Sequence, residues 1–185
     1  MGWTTHYGAS RADIVRELTT STIQGYTVPM HTSVGNTLYC AWSIVKDGAE
    51  HRFIVVNLLA RSREGWGYKD MSEDTHPFSY DCPVAYLDWC EQVPGGQPIN
   101  EGSKTWREKV RVFKIQRQDL RTAAKAGKRL RFNGKEYVFG RSKGRGIYFF
   151  RVEGLQLSSC LYRLPLGRPD LISVVEPVEA QKEVI

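Results

Sequence analysis

The sequence predicts an α+β fold: an antiparallel sheet with short helices, followed by a basic helix and a small SH3-like or OB-like β-barrel. Three observations support this prediction. Short runs of strand-forming residues recur along the chain, Asp-Gly and Asn-Gly turn signals join pairs of these runs, and segments of helical periodicity separate them. With 185 residues, 41% of them apolar, the chain is long enough to bury a substantial core.

The first predicted element is a helix over residues 11–19. Ser10 is a suitable N-cap, and Asp13 places an acidic side chain in the first turn. Residues 23–34 contain Pro29, which cannot donate to a sheet ladder, so this segment is predicted to be irregular or a short edge strand.

An antiparallel hairpin is predicted next. Residues 37–45 and 51–59 are both rich in strand-forming side chains, and Asp47-Gly48 between them is a typical tight-turn pair. The continuous apolar run in the second strand predicts that both of its faces are covered. A short helix is then predicted to begin at Pro83 and to end at the Pro/Gly cluster 94–98. We expect a domain boundary at this cluster, dividing the chain into residues 1–98 and 99–185.

The second half is predicted to begin with a helix that Ser103 caps, with Trp106 and Val110 on its buried side. Strand-like runs then recur at residues 110–115, 128–132, 136–140, 146–152 and 160–164. Asn133-Gly134 predicts a two-residue hairpin turn, and a longer basic loop joins the next pair. This spacing is typical of a small barrel. The tail after Pro165 is predicted to cover the surface or to fray.

The cysteine pattern predicts a reducing compartment. Four cysteines are widely spaced without a CxxC pair, so we expect buried free thiols. No stretch approaches the roughly 18 apolar residues of a membrane helix, and the first residues lack the pattern of a signal peptide. The expected location is the cytoplasm, with no membrane partner.

Charge is divided unevenly along the chain. Residues 1–100 carry 7 basic and 11 acidic side chains, whereas residues 101–185 carry 19 basic and 9 acidic ones. Between Lys104 and Arg145, 15 basic residues face only three acids. Such a block favours an anionic partner through long-range attraction and, for nucleic acid, through counterion release. The alternative is a solvated basic face without a partner.

The segment from Trp66 to Pro83 is predicted to be a polar loop rich in aromatics, following the second hairpin strand. As a recognition loop it would present aromatic anchors surrounded by charge. The candidate residues of this recognition loop are Trp66, Tyr68, Lys69, Asp70, Glu73 and His76. Alternatively, the aromatics fasten the loop to the core and Lys69 pairs with Glu73 or Asp74.

The same segment contains residue types that catalysis uses. Asp70, Glu73 and Asp74 are oxygen donors of the kind that hold a divalent metal in an enzyme acting on nucleic acid or nucleotide. A zinc site, or a Cys82 nucleophile with His76 as its base, has weaker support because no paired ligand spacing accompanies it. We therefore assign no catalytic residue, no metal and no cofactor.

A second candidate site is the basic half. Its candidate side chains for binding nucleic acid or another anionic partner are Arg129, Arg131, Lys135, Arg141, Lys143 and Arg145. Aromatic residues alternate with them, which is how barrel domains combine phosphate neutralisation with base stacking. In a strand, however, alternation also directs aromatics to the core and basic residues to solvent. Charge contact is therefore the firmer prediction.

The string from Gly65 to Met71, GWGYKDM, followed by Glu73, Pro77, Cys82-Pro83 and Trp106-Arg107, resembles a family of uncharacterised phage and mobile-element proteins. The resemblance covers roughly residues 1–115, and His76 stands where the family pattern has Gly. The resemblance implies a mobile-element accessory protein in the cytoplasm of a bacterial host cell, acting on host defence or nucleic-acid metabolism. The predicted partner is DNA, RNA or a bacterial defence complex, and the predicted role is inhibition of the anti-CRISPR or anti-restriction type. The sequence predicts no particular oligomeric state.

Overall fold

A computed structural model describes residues 2–20, 25–75, 79–144 and 146–175. It has two compact units, residues 1–112 and 113–185, each built around its own five-stranded antiparallel sheet. The α+β class is therefore confirmed. The division falls inside a long helix, whereas the sequence predicts a boundary near residue 98. No helix in the described part of the chain is both long enough and apolar enough to cross a membrane.

The first unit contains strands β1 to β5 and helices α1 and α2. Their bounds are β1 Thr4–Thr5, α1 Arg11–Thr20, β2 Thr27–Val34, β3 Thr37–Lys46, β4 Ala49–Arg61, β5 Trp66–Ser72 and α2 Val84–Cys90. A short 3₁₀ helix, Glu73–Thr75, follows β5. The strand order is β1-β5-β4-β3-β2, so β2 is the edge strand that Pro29 predicts.

Local signals place most of these elements. Ser10 and Asp13 form a reciprocal capping box at the start of α1, as predicted. Asp47 and Gly48 both have positive φ, 51° and 77°, which is the primed turn that matches the twist of a hairpin. Pro83 lies at the N-cap of α2, one position before its predicted place.

Each face of the first sheet packs against helices. One face of the sheet forms a core with α2 and the start of α3 (Glu101–Lys125). The buried members of this core are Tyr39, Ala41, Ile54, Val56, Cys82, Leu87, Cys90, Trp106 and Val110. The opposite face packs on α1 through Ile14, Leu38, Cys40 and Leu59. As predicted, the centre of β4 is covered on both faces.

The basic helix begins three residues earlier than predicted and continues to Lys125, an end that the sequence does not predict. Asn100, rather than Ser103, caps α3: the Ser103 N–H donates to Asn100 Oδ1 at 2.9 Å, and the Asn100 N–H donates to Ser103 Oγ at 3.1 Å. The run at residues 110–115 is helical, so the predicted strand there is wrong. Its apolar residues recur at helical spacing with Trp106 and Leu120, and this amphipathic pattern outweighs the β-propensity of isolated valines.

The second unit contains β6 Arg129–Phe132, β7 Lys135–Lys143, β8 Gly146–Glu153, β9 Gln156–Tyr162, a 3₁₀ helix Pro169–Leu171, and β10 Ile172–Val175. Asn133 and Gly134 form the predicted primed turn, with φ of 48° and 71°. The strand order is β10-β6-β7-β8-β9. Among the described residues β9 and β10 lie at opposite edges of an open sheet, so the predicted SH3-like or OB-like barrel does not close.

The core of the second unit lies on the face of its sheet that packs against the end of α3. Its buried members are Leu120, Ala124, Leu130, Tyr137, Phe149, Leu164 and Ile172. The tail partly departs from the prediction, since residues 172–175 pair with β6. Residues 176–185 lie outside the described part of the chain.

Three of the four predicted buried thiols are buried: Cys40, Cys82 and Cys90. Burial raises the pKa of the Cys40 and Cys90 thiols to about 12 and that of Cys82 well above its ordinary value, so all three are inert at neutral pH. The prediction is wrong for Cys160, which is exposed.

Candidate functional site

The predicted recognition loop is wrong in its first part, because residues 66–72 form strand β5. They pair with β4 in the register Asn57↔Asp70 and Leu59↔Tyr68. A polar, aromatic strand of this kind is stabilised by its cross-strand partners more than by its own propensity. His76 lies outside the described residues.

Side chains along β5 point alternately to the two faces of the sheet, and this separates the predicted site residues. Trp66 and Tyr68 pack with the α1 core, and Asp70 follows them on that face. Lys69 has the opposite parity and shares the other face with buried Met71. The six candidates therefore do not form one surface among the described residues.

Glu73 is buried in an ion pair and is not available to a ligand. Arg107 Nε and Nη2 donate to its two carboxylate oxygens, both at 2.7 Å, and both side chains are 1% exposed. Burial raises the pKa of Glu73, and the hydrogen bonds from Arg107 oppose that shift. The suggested pairing of Lys69 with Glu73 is therefore wrong.

The predicted metal-ligand set also does not converge. Asp70 lies on the α1 face, Glu73 is bound by Arg107, and Asp74 accepts a hydrogen bond from Ser72. Within the described residues, no group of three His, Cys, Asp or Glu side chains is arranged to hold a metal ion. The hypothesis of a metal site formed by these three carboxylates is therefore wrong.

The outer face of the second sheet, opposite its core, is the stronger candidate. Side chains of neighbouring strands pair alternately on the two faces of this sheet. The pair Phe139↔Phe149 points to the core, and the outward pairs are Arg141↔Tyr148, Val138↔Phe150 and Phe150↔Leu161. A Cβ on Gly140 would lie 2.8 Å from Leu161 Cδ2 and 3.1 Å from Phe150 Cε2, so these side chains pack across the glycine.

We call this surface the basic aromatic face. It comprises Arg141, Lys143, Tyr148, Phe150, Leu161 and Arg163. Arg163 lies with its guanidinium carbon 5.9 Å from the centre of the Tyr148 ring. Tyr148, Phe150 and Leu161 are half-buried, although no helix of the second unit's described core packs on this side.

The predicted basic residues differ in whether an ion pair within the protein already occupies them. Arg129 and Arg131 both bind Glu136, at 3.1 and 2.9 Å, and these two guanidinium groups lower the pKa of its carboxyl. Arg141, Lys143 and Lys135 are exposed, and among the described residues no carboxylate lies within ion-pair distance of them. Arg145 lies outside the described residues.

Sequence reasoning missed Phe150, Leu161 and Arg163. The available signal was the run Ile147 to Phe150, which is apolar at both parities of a strand and therefore has apolar residues on both faces of the sheet. The comparisons with known proteins supply no further guidance: no family model matches the chain, and neither a curated protein nor a solved structure is detectably similar to it.

Proposed function

We propose that this protein binds single-stranded nucleic acid, either free or displayed within a ribonucleoprotein, through the basic aromatic face. The observation that carries the proposal is the pairing of exposed Arg141 with half-buried Tyr148 in the β7–β8 ladder. This pairing places a cation that has no ion-pair partner among the described residues beside a half-buried ring on one sheet surface.

Charge supports an anionic ligand. Residues 101–185 carry ten more basic than acidic side chains, and Lys143 lies at the end of the same hairpin as Arg141. Unpaired cations release counterions when they contact phosphates, whereas Arg129 and Arg131 would first have to leave Glu136. We therefore assign the main phosphate contacts to Arg141 and Lys143.

The aromatic side chains support a single strand over a duplex. Bases that are not stacked in a helix can lie on Tyr or Phe rings, and this contact tolerates any base because every base has a π face. A duplex offers its phosphates but not its base faces. DNA and RNA are both compatible with this surface, and the experiment compares them.

Fluorescence anisotropy with labelled oligonucleotides tests the proposal. Arg141→Glu/Lys143→Glu should weaken single-strand binding at least about tenfold and reduce the slope of log K against log salt by about 1 for each lost phosphate contact. Lys46→Glu/Arg63→Glu reverses two exposed charges on the first unit and is the control matched for net charge. Equal losses in the two proteins would contradict the assignment of the face.

A separate variant tests the contribution of base stacking to binding. Tyr148→Ala should weaken single-strand binding by about 1–3 kcal/mol with little change in salt slope. Tyr7→Ala removes a tyrosine that is 92% exposed on the first unit and should have no effect. Duplex binding as tight as single-strand binding would contradict a stacking role.

We further propose that the nucleic acid is part of a bacterial defence complex, which the protein inhibits. The support is the resemblance of the 65–83 segment to mobile-element proteins, together with the basic aromatic face. The test is affinity purification from a bacterium that carries CRISPR and restriction systems, with protein and nucleic acid both identified. Recovery of one defined complex, lost in Arg141→Glu/Lys143→Glu, is the expected result. Recovery of bulk nucleic acid alone would contradict the inhibitor role but not the binding.

A further inference from the structure

A cleft of about 270 Å³ opens on the α1 face of the first sheet, separate from the residues of the basic aromatic face. It is lined by Glu17, Leu18, Trp42, Phe53, Val55, Asn57, Tyr68 and Asp70. Helix α1 covers one part of this face through Ile14, and the cleft lies beside the last turns of that helix. Its volume of about 270 Å³ is slightly below the about 300–1,000 Å³ that is usual for small-molecule sites, which suits a ligand with a single ring system.

Among the described residues, two buried polar atoms of the cleft lining have no hydrogen-bond partner. Asn57 is 1% exposed; its Nδ2 donates to Cys40 Sγ at 3.7 Å, and its Oδ1 accepts from no group. Trp42 Nε1 is also buried and donates to no group. Buried polar atoms are rarely left unpaired, because each costs the free energy of its lost hydrogen bond to water. Both atoms belong to residues that line the cleft, so each is a candidate partner for a ligand there, one as acceptor and one as donor.

Asn57 is an unusual residue for its position. It lies in β4 among Val55, Val56 and Leu59, all buried apolar residues. A leucine of similar size would fill the same space without an unpaired oxygen. A polar group that lowers stability at a buried position is typical of a residue that serves binding.

The charge of the cleft is negative. Asp70 lies directly opposite Asn57 in the ladder, and Glu17 approaches from α1, while no Lys or Arg is among the lining residues. Burial and the two carboxylates of Glu17 and Asp70 raise the pKa of Tyr68. Such a site disfavours phosphates and carboxylates and favours groups that donate N–H bonds.

Aromatic rings supply flat contact surfaces. Trp42 and Phe53 are ladder partners with ring centres 6.1 Å apart, and Tyr26 packs on both at 5.4 and 5.8 Å. Together with Tyr68 they form an apolar lining suited to a planar ligand.

We propose that this cleft binds a small planar heterocycle with an exocyclic amino group and no phosphate, of the aminopurine nucleoside class. The ring would pack on the Phe53 and Tyr68 side chains beside the edge of the Trp42 indole, and its N–H donors would bind Asn57 Oδ1 and Asp70. A ring nitrogen or carbonyl oxygen would accept from Trp42 Nε1. A simple ammonium or guanidinium has no acceptor for that indole N–H, so the heterocycle satisfies both unpaired atoms where a simple cation satisfies one.

Isothermal titration calorimetry of the full chain with four probes tests the ligand class. Guanosine is compared with inosine, which lacks the amino group, with guanosine 5′-monophosphate, and with agmatine as a guanidinium cation. We expect guanosine to bind with a dissociation constant below about 1 mM, and inosine and the monophosphate to bind at least about tenfold more weakly. Absence of guanosine binding, equal binding of inosine, or tighter binding of agmatine would overturn the proposal.

Variants test the site itself. Asn57→Leu should abolish guanosine binding while leaving the thermal unfolding midpoint unchanged or higher. Asp70 is exposed, so Asp70→Asn does not endanger folding. This variant should weaken guanosine binding at least about threefold and reduce the difference in affinity between guanosine and its monophosphate. Glu64→Gln neutralises an exposed acid outside the cleft and is the matched control. Guanosine binding that survives in both Asn57→Leu and Asp70→Asn would overturn the assignment of the cleft.

Discussion

Glu73 and Arg107 are the two charged side chains that are most deeply buried among the described residues. Arg107 also donates to Glu91 Oε1 at 3.2 Å and to the Gly96 carbonyl at 2.7 Å, so its guanidinium connects three separate segments. A buried ion pair is costly to desolvate, and it is stable only when its geometry and its additional hydrogen bonds are good. Here both conditions hold, and the pair organises the segment for which the sequence predicts a recognition loop.

Removing one partner of this pair should be much worse than removing both. Arg107→Met leaves an uncompensated buried carboxylate and should lower the free energy of unfolding by about 3–5 kcal/mol. The double variant Glu73→Met/Arg107→Met removes both charges and should recover a large part of that loss. Urea unfolding followed by circular dichroism measures each protein.

The recovery distinguishes an ion pair from simple packing. If the double variant were as unstable as the sum of the two single variants, the charges would not be coupled, and the loss would come from packing alone.

At the scale of elements, close backbone approaches position the segment after α2. Gly95 bridges to His51 of β4, and the Arg52 N–H donates to the Gly95 carbonyl at 3.1 Å. Gly96 packs against the carbonyl of Cys90, where a Cβ would overlap the oxygen. These glycines allow the chain to pass close to the sheet, so the Pro/Gly cluster that predicted a boundary is instead attached to the first unit.

Gly96→Ala should therefore lower the free energy of unfolding by about 1–3 kcal/mol, because the chain must move away from Cys90 to accommodate the methyl group. Gly2→Ala is the control, since a Cβ there meets no atom within 4 Å. Chemical denaturation of both variants provides the measurement. Wild-type stability in Gly96→Ala would show that this approach is not a constraint on the fold.

At the scale of the whole molecule, the two proposed sites have opposite electrostatic character. The cleft in the first unit is lined by acids without a cation, and the basic aromatic face in the second unit has exposed cations without ion-pair partners among the described residues. The charge division along the chain, net negative before residue 100 and net positive after it, is consistent with two different ligands.

The two activities should respond to different substitutions. Arg141→Glu/Lys143→Glu should weaken oligonucleotide binding but change guanosine binding by less than about twofold, and Asn57→Leu should do the reverse, because each residue set belongs to a unit with its own core. Anisotropy and calorimetry on the same two proteins give all four values. Parallel loss of both ligands in either variant would indicate one shared site or a folding defect.

Several features of this protein are determined by sequence alone because they depend on neighbours along the chain. The Asp47-Gly48 and Asn133-Gly134 turns need only residues that tolerate positive φ, and the cap of α1 needs only Ser10 and Asp13. The surplus of positive charge in the second half is likewise a property of composition. From these features the α+β class, the first hairpin and the basic half of the candidate site could be predicted.

Only the tertiary structure decided which residues work together. Strand β5 forms because β4 is beside it, and its alternation then separates Asp70 from Lys69. Glu73 is paired with a residue 34 positions away, and Arg129 and Arg131 form ion pairs with Glu136 across a turn. The open second sheet leaves Phe150 and Leu161 on an outer face. Such pairings depend on contacts between distant segments, and no local pattern of residues specifies them.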